Sequence, residues 1–157
     1  MNNALMFSSK SDEWETPQDL FDRLHAEFDF QIDLAATDAN KKIWNSYLSD
    51  DGDDALTLDW HREREIGITR GWLNPPYSRG LCAKFIVKAA EERRKGFLTV
   101  MLLPARTDTK AFHAHIYNSK KWQAREGVEI RLLPGRLKFS GRANAAPFPS
   151  MIVVFRP

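Results

Sequence analysis

The sequence predicts an α/β fold: an open, mostly parallel sheet with an antiparallel C-terminal hairpin and helices on both faces. Three observations lead there. Short strand-like patterns alternate with helical periodicity from residue 14 to residue 122. Residues 97–104, FLTVMLLP, are an unbroken apolar run between Gly96 and Pro104, as expected of a strand buried on both faces of a parallel sheet. From residue 128 onward strand patterns follow one another with no helical segment between them, so the pairing there is antiparallel.

Each element has a local reason. In TPQDLFDRLHAEF, Thr16 is a candidate N-cap, Pro17 suits the first helical position and Asp19 completes a box-like pair with Thr16. Leu20, Phe21, Leu24 and Phe28 then form one apolar side. FDFQIDLAA (28–36) alternates Phe28, Phe30, Ile32 and Leu34 before opening into small residues, a short strand ending in a turn. IWNSYL (43–48) suggests a second strand, SDDGDDALTLDW (49–60) is acidic and turn-rich, and GWLN (71–74) is a short strand. GLCAKFIVKAAEERRKG (80–96) reads as a helix stopped by Gly96. TDTKAFHAHIYNSKKW (107–122) reads as another helix, VEIRLLPGRLKFSGR (128–142) as two strands around a Pro-Gly turn, and PSMIVVF (149–155) as the last strand.

The 157 residues suit one domain, large enough to bury a core without staples. Residues 1–11 look loose and residues 12–157 form the domain. The single cysteine, Cys82, excludes an internal disulfide and a multi-cysteine metal site, and fits a reducing compartment. No apolar run approaches a membrane span, and the N-terminus lacks the pattern of a secretion signal. His25, His61, His113 and His115 do not form a ligand set, since His113 and His115 are two apart on a helical segment, so no metal is expected. Net charge is only +2, yet residues 1–78 carry a net −9 and residues 79–157 a net +11. A basic half suits a polyanion such as nucleic acid; the other reading is solvated faces that cancel in three dimensions.

The most informative stretch is Leu73–Ser78, LNPPYS. Two prolines fix φ and remove backbone donors, leaving a rigid tip with carbonyl acceptors, one amide and one aromatic ring. An exocyclic amine on a heteroaromatic ring is a poor nucleophile because its lone pair is delocalised. The Asn74 side-chain carbonyl and the Pro75 backbone carbonyl can grip its two hydrogens and localise that pair, while Tyr77 offers a ring for stacking. Such chemistry is positioning and electrostatics, and it needs a strong methyl donor. Asp33–Ala36 and the tip both fall at strand carboxyl ends, where open sheets bind ligands, so the two can share a pocket although they are about 40 residues apart.

NPPY is similar to the catalytic motif of S-adenosylmethionine-dependent amino-methyltransferases, which act on DNA adenine N6, on amines of RNA bases or on protein glutamine. Together DEWETPQDLFDRL, FDFQIDLAATDAN, NPPYS, LLPARTDTKAFH and GRLKFSGRANAAPFPSMIVVF resemble the small phage-type, Dam-like DNA adenine N6-methyltransferases, from about residue 12 to residue 155. The resemblance implies a single-domain, Rossmann-like methyltransferase fold without a separate target-recognition domain, using S-adenosylmethionine, releasing S-adenosylhomocysteine and acting on double-stranded DNA in the cytoplasm of a bacterial host.

The same resemblance implies roles. Asn74, Pro75, Pro76 and Tyr77 would be catalytic, with Tyr77 stacking on a flipped adenine. Trp14, Thr16 and Pro17, the acid and small residues Asp33 and Ala35, and Asn74 would bind the donor. The chain lacks the Gly-x-Gly of larger methyltransferases at 33–36. The donor's adenosine would meet Asp54 or Asp59, with Asp54 favoured because it precedes Ala55 and Leu56. Arg79, Lys84, Arg106, Lys110, Arg136, Lys138 and Arg142 are candidate phosphate contacts. Phe139, with Phe148, would wall the base pocket or join the core. RNA or glutamine methylation, or a non-catalytic nucleic-acid binder, are the alternatives.

Overall fold

The structure, a computed structural model, describes residues 14–60, 66–78 and 80–157. The expected loose segment 1–11, His61 and Arg79 lie outside the described residues.

The chain forms α1 (Gln18–Phe28), β1 (Ile32–Ala36), β2 (Ser46–Leu48), β3 (Arg70–Leu73), α2 (Leu81–Arg94), β4 (Leu98–Pro104), β5 (Tyr117–Asn118), β6 (Gln123–Ala124), β7 (Val128–Leu132) and β8 (Ser150–Phe155). Six strands make one sheet in the order β2-β1-β3-β4-β8-β7. Strands β1 to β4 pair in parallel, and β8 enters antiparallel between β4 and β7. The fold is therefore α/β with a mixed, largely parallel sheet, consistent with a Rossmann-like methyltransferase. The carboxyl ends of β1, β3, β4 and β7 all meet one edge of the sheet.

Strand alternation builds a core on each face. Ile32, Leu34, Leu73, Met101, Leu103 and Val153 pack with Phe85, Ile86 and Ala89 of α2. Trp72, Val100, Leu102, Ile152 and Val154 face the other way, onto Leu20, Phe21, Leu24 and Phe28 of α1. This is the period-2 pattern of strands covered on both sides. Gly71 is required by close packing: a Cβ there would sit 2.6 Å from Leu34 Cδ1 and 2.9 Å from Phe97 Cε1.

Three local expectations change. Thr16 does not cap α1; Pro17 holds the cap position with φ −56° and ψ 133°, and no side chain caps the helix. The helix expected over 107–122 shrinks to a turn ending in the π-helical Phe112–Ile116, after which β5 and β6 form a tight hairpin. Only Phe112 and Ile116 of that stretch are buried, too few to hold a long helix, and Asn118 Oδ1 accepts from the amides of Lys120 and Lys121, closing a turn instead. Within 128–142 only β7 is a strand; its antiparallel partner is β8. Residues 133–149 stay a loop, because Pro134 cannot donate to a ladder and Phe139 is drawn into the core under α1.

Candidate active site

A cavity of about 550 Å³ opens at the carboxyl ends of β1 and β3. It brings together Trp14, Thr16, Asp33, Ala35, Asp54 and Asn74, all singled out from the sequence. Pro17 is absent from its walls, being spent on the helix start. Asp59 is also absent; its carboxylate pairs with Lys95 at 3.2 Å, which separates it from Asp54. Lys84, a candidate phosphate contact, also borders this cavity. Thr37, Tyr47, Ser49 and Asp53 line it too, and local sequence did not single them out. Thr37 directly follows β1, while Tyr47 in β2 and Ser49 and Asp53 after it are carried to the site by the parallel pairing of β1 with β2.

Asp33, in β1, is 3% exposed. Its carboxylate accepts from the amide of Lys42 at 3.0 Å and from that of Ala35 at 3.4 Å. Burial outweighs those bonds and pushes its pKa up to about 6. The acid thus ties down the 37–42 turn and still borders the cavity. Asp53 and Asp54 each hold a nearby backbone amide, of Leu48 at 2.9 Å and Leu56 at 3.0 Å.

The NPPY tip follows β3 directly. Asn74 Nδ2 donates to the Thr16 hydroxyl at 3.0 Å and to the Trp14 carbonyl. Tyr77 is 6% exposed, and its hydroxyl lies 2.8 Å from Asn74 Oδ1 and 3.0 Å from the Leu102 carbonyl, both acceptors. Burial raises the Tyr77 pKa well above that of free tyrosine, so the hydroxyl stays a donor. The Tyr77 ring meets Phe148 and Phe139 edge-on at 5.7 and 6.3 Å, and Trp14 meets the same two rings at 5.0 and 5.2 Å. Phe139 is thus a core residue that also braces the tip. The Tyr77 ring, expected to stack on a planar target, is here buried against Phe148 and Phe139.

A second cavity of about 240 Å³ lies on the other side of the tip, between the start of α2 and the end of β4. Tyr77, Cys82, Arg106, Thr109 and Lys110 border it. Arg106 donates to the Tyr77 carbonyl at 3.4 Å. Burial pushes the Cys82 thiol up to about 12, so it remains protonated.

Topology gathers the remaining candidate cations. Arg136 and Lys138 lie exposed on the 133–149 loop, at the same sheet edge as Lys84, Arg106 and Lys110. The Arg142 guanidinium sits 4.1 Å from the centroid of the Trp14 ring. Among the described residues, no helix is long and apolar enough to cross a membrane.

Residues 4–157 match the family model described as DNA N-6-adenine-methyltransferase (Dam). The chain belongs to the Dam family. A protein named DNA N-6-adenine-methyltransferase, from Escherichia phage T1, is 31% identical over 102 residues. That match covers 64% of this chain and 39% of the relative, so the chain aligns with about two fifths of the relative's length. No solved structure matches. The Dam match spans both cavities, the tip between them and the loop that braces the tip.

Proposed function

We propose that this chain transfers a methyl group from S-adenosylmethionine to the N6 amine of adenine in double-stranded DNA. The observation that carries the reading is the Asn74 amide, held at the wall of the larger cavity with its NH₂ engaged by Trp14 and Thr16. Oδ1 is thereby left as the acceptor side of the group.

The larger cavity suits a nucleoside-type donor. Its volume lies within the range of cofactor sites. Ala35 and Ala36 allow a ligand to approach the backbone, Asp33 offers an anion for an ammonium, and Asp53 and Asp54 offer acceptors for ribose hydroxyls. When bound, S-adenosylmethionine supplies a methyl group on a positively charged sulfur. The chain's own part is to bind, orient and polarise. Asn74 Oδ1 and the Pro75 carbonyl accept hydrogen bonds from the two N6 hydrogens and draw the nitrogen lone pair out of the ring; once the nitrogen carries the methyl group, one of its protons is released to water. Pro75 and Pro76 keep that acceptor pair rigid, so little reorganisation is needed as the bond forms.

Adenine inside a duplex cannot reach this tip, so the base is flipped out, at roughly a few kcal/mol. Lys84, Arg106, Lys110, Arg136 and Lys138 offset that cost through phosphate contacts. Family membership supports adenine in DNA over RNA bases or protein glutamine.

The test is incubation with S-adenosylmethionine and unmethylated duplex DNA, followed by nucleoside mass spectrometry. N6-methyladenine is expected with the native chain. Asn74→Ala should lower the rate by at least about 10²-fold while the donor still binds. Modified RNA or glutamine with unmodified DNA would redirect the substrate assignment; donor binding without any transfer would sink the enzyme reading.

A further inference from the structure

The segment that walls the larger cavity also grips the amide of the tip. Thr16 is 58 residues from Asn74 in sequence, yet its hydroxyl oxygen accepts from Asn74 Nδ2 at 3.0 Å. The Trp14 carbonyl takes the other hydrogen of the same NH₂ group, and the Tyr77 hydroxyl reaches Oδ1 at 2.8 Å. The amide therefore has one favourable orientation: turned over, Oδ1 would face the Trp14 carbonyl, acceptor against acceptor.

Thr16 is 2% exposed, so no water replaces its hydroxyl readily. A threonine before a helix ordinarily serves as its cap, but this hydroxyl does not cap α1. The backbone around it is fixed from a third segment. Ser140 donates its amide to the Glu15 carbonyl at 3.0 Å and its hydroxyl to the Thr16 carbonyl at 3.4 Å. Three distant pieces of chain thus converge to hold one side-chain amide.

We propose that Thr16 is a positioning residue for methyl transfer: its hydroxyl, with the Trp14 carbonyl, locks the Asn74 amide so that Oδ1 faces the target amine. The inference rests on the methyl-transfer reading of Asn74. It assigns Thr16 a task other than donor binding, although the residue borders the donor cavity.

The two roles separate by substitution. Thr16→Val keeps shape and removes the hydroxyl; Thr16→Ser keeps the hydroxyl. At saturating donor and DNA, Thr16→Val should lower kcat roughly 10- to 100-fold, the range for losing one buried hydrogen bond. Donor affinity by calorimetry should stay within about twofold, and Thr16→Ser should retain most of kcat. Adding Thr16→Val to Asn74→Ala should cost no further activity, since the hydroxyl acts through the amide. An activity-independent readout is the Asn74 side-chain NH₂ signal in NMR, assigned by its loss in Asn74→Ala. Its hydrogen exchange should be slow in the native chain and Thr16→Ser, and fast in Thr16→Val. Thr16→Ala serves if the valine variant does not fold. Lost donor affinity with unchanged kcat, an inactive serine variant, or slow exchange without the hydroxyl would each overturn the proposal. A native chain that methylates nothing would overturn the methyl-transfer reading alone, because the exchange measurement still decides what holds Asn74.

Discussion

The two edges of the sheet treat most of their cations differently. Toward the amino edge, several of the described cations are paired. Arg156 pairs with Glu129 at 2.7 Å, Arg131 spans Glu27 and Glu129 at 2.6 Å, and Lys95 reaches Asp59 and the buried Glu92 at 3.2 Å. Hydrogen bonds from Arg131 hold the carboxyls of Glu27 and Glu129 below their usual range. At the carboxyl edge, Lys84, Arg106, Lys110, Arg136 and Lys138 have no carboxylate within ion-pair distance among the described residues. The acids at that edge, Asp33, Asp53 and Asp54, hold backbone amides around the larger cavity instead. The split of −9 and +11 between sequence halves is thus partly sorted in space: the five candidate phosphate contacts carry no ion pair among the described residues, although Lys42 at the larger cavity pairs with Glu15 at 3.4 Å.

The most severe way to break this contrast is to strip the carboxyl edge. Changing Arg106, Lys110, Arg136 and Lys138 together to alanine should weaken DNA binding by roughly two to three orders of magnitude near 0.1 M salt. The log–log salt slope should fall by about 3 to 4, with little loss of thermal stability. An unchanged slope would show that these cations do not meet phosphate.

A smaller effect tests the acids of the same edge. Asp33 titrates near 6 because it is buried, so its folded-state pKa lies above its unfolded one. Below about pH 4 the acid is neutral in both states and costs nothing. Stability is lost as pH rises from about 4 to about 6, where the unfolded chain ionises and the folded acid holds its proton; above about 6 the cost levels off at about 3 kcal/mol. Donor binding runs the other way, since only the ionised acid attracts an ammonium. Calorimetry should show donor affinity falling about tenfold from pH 7 to pH 5. Asp33→Asn should bind the donor more weakly and lose that pH dependence. A flat profile in the native chain would leave Asp33 as a loop tie alone.

The smallest effect belongs at the amino edge. Arg156→Ala should cost under about 1 kcal/mol in denaturant unfolding, because its pair with Glu129 is more than a third exposed. DNA affinity and its salt slope should not move. A drop in DNA affinity would erase the distinction between the edges.

Much of the fold was legible along the chain, and the reason is local. The alternation of Phe30, Ile32 and Leu34 and the run 98–104 reflect side-chain direction, which repeats every two residues. NPPY announced itself because proline chemistry is local too. The stretch 107–122 misled because helical periodicity was present without enough buried partners, and a turn at Asn118 prevailed.

By itself the sequence determined the α/β class, the strand that carries the tip, the rigid Asn74–Tyr77 acceptor group and the acid at the end of β1. Only the tertiary structure decided which partner each polar group finds. It separated Asp54 from Asp59, folded Tyr77 and Phe139 inward beneath the tip, and turned the Thr16 hydroxyl from a helix cap to the Asn74 amide. The physical reason is range. A pattern of apolar spacing is set by neighbours a few residues away. A hydrogen bond across 58 residues depends on where the segment before α1 and the end of β3 come to rest.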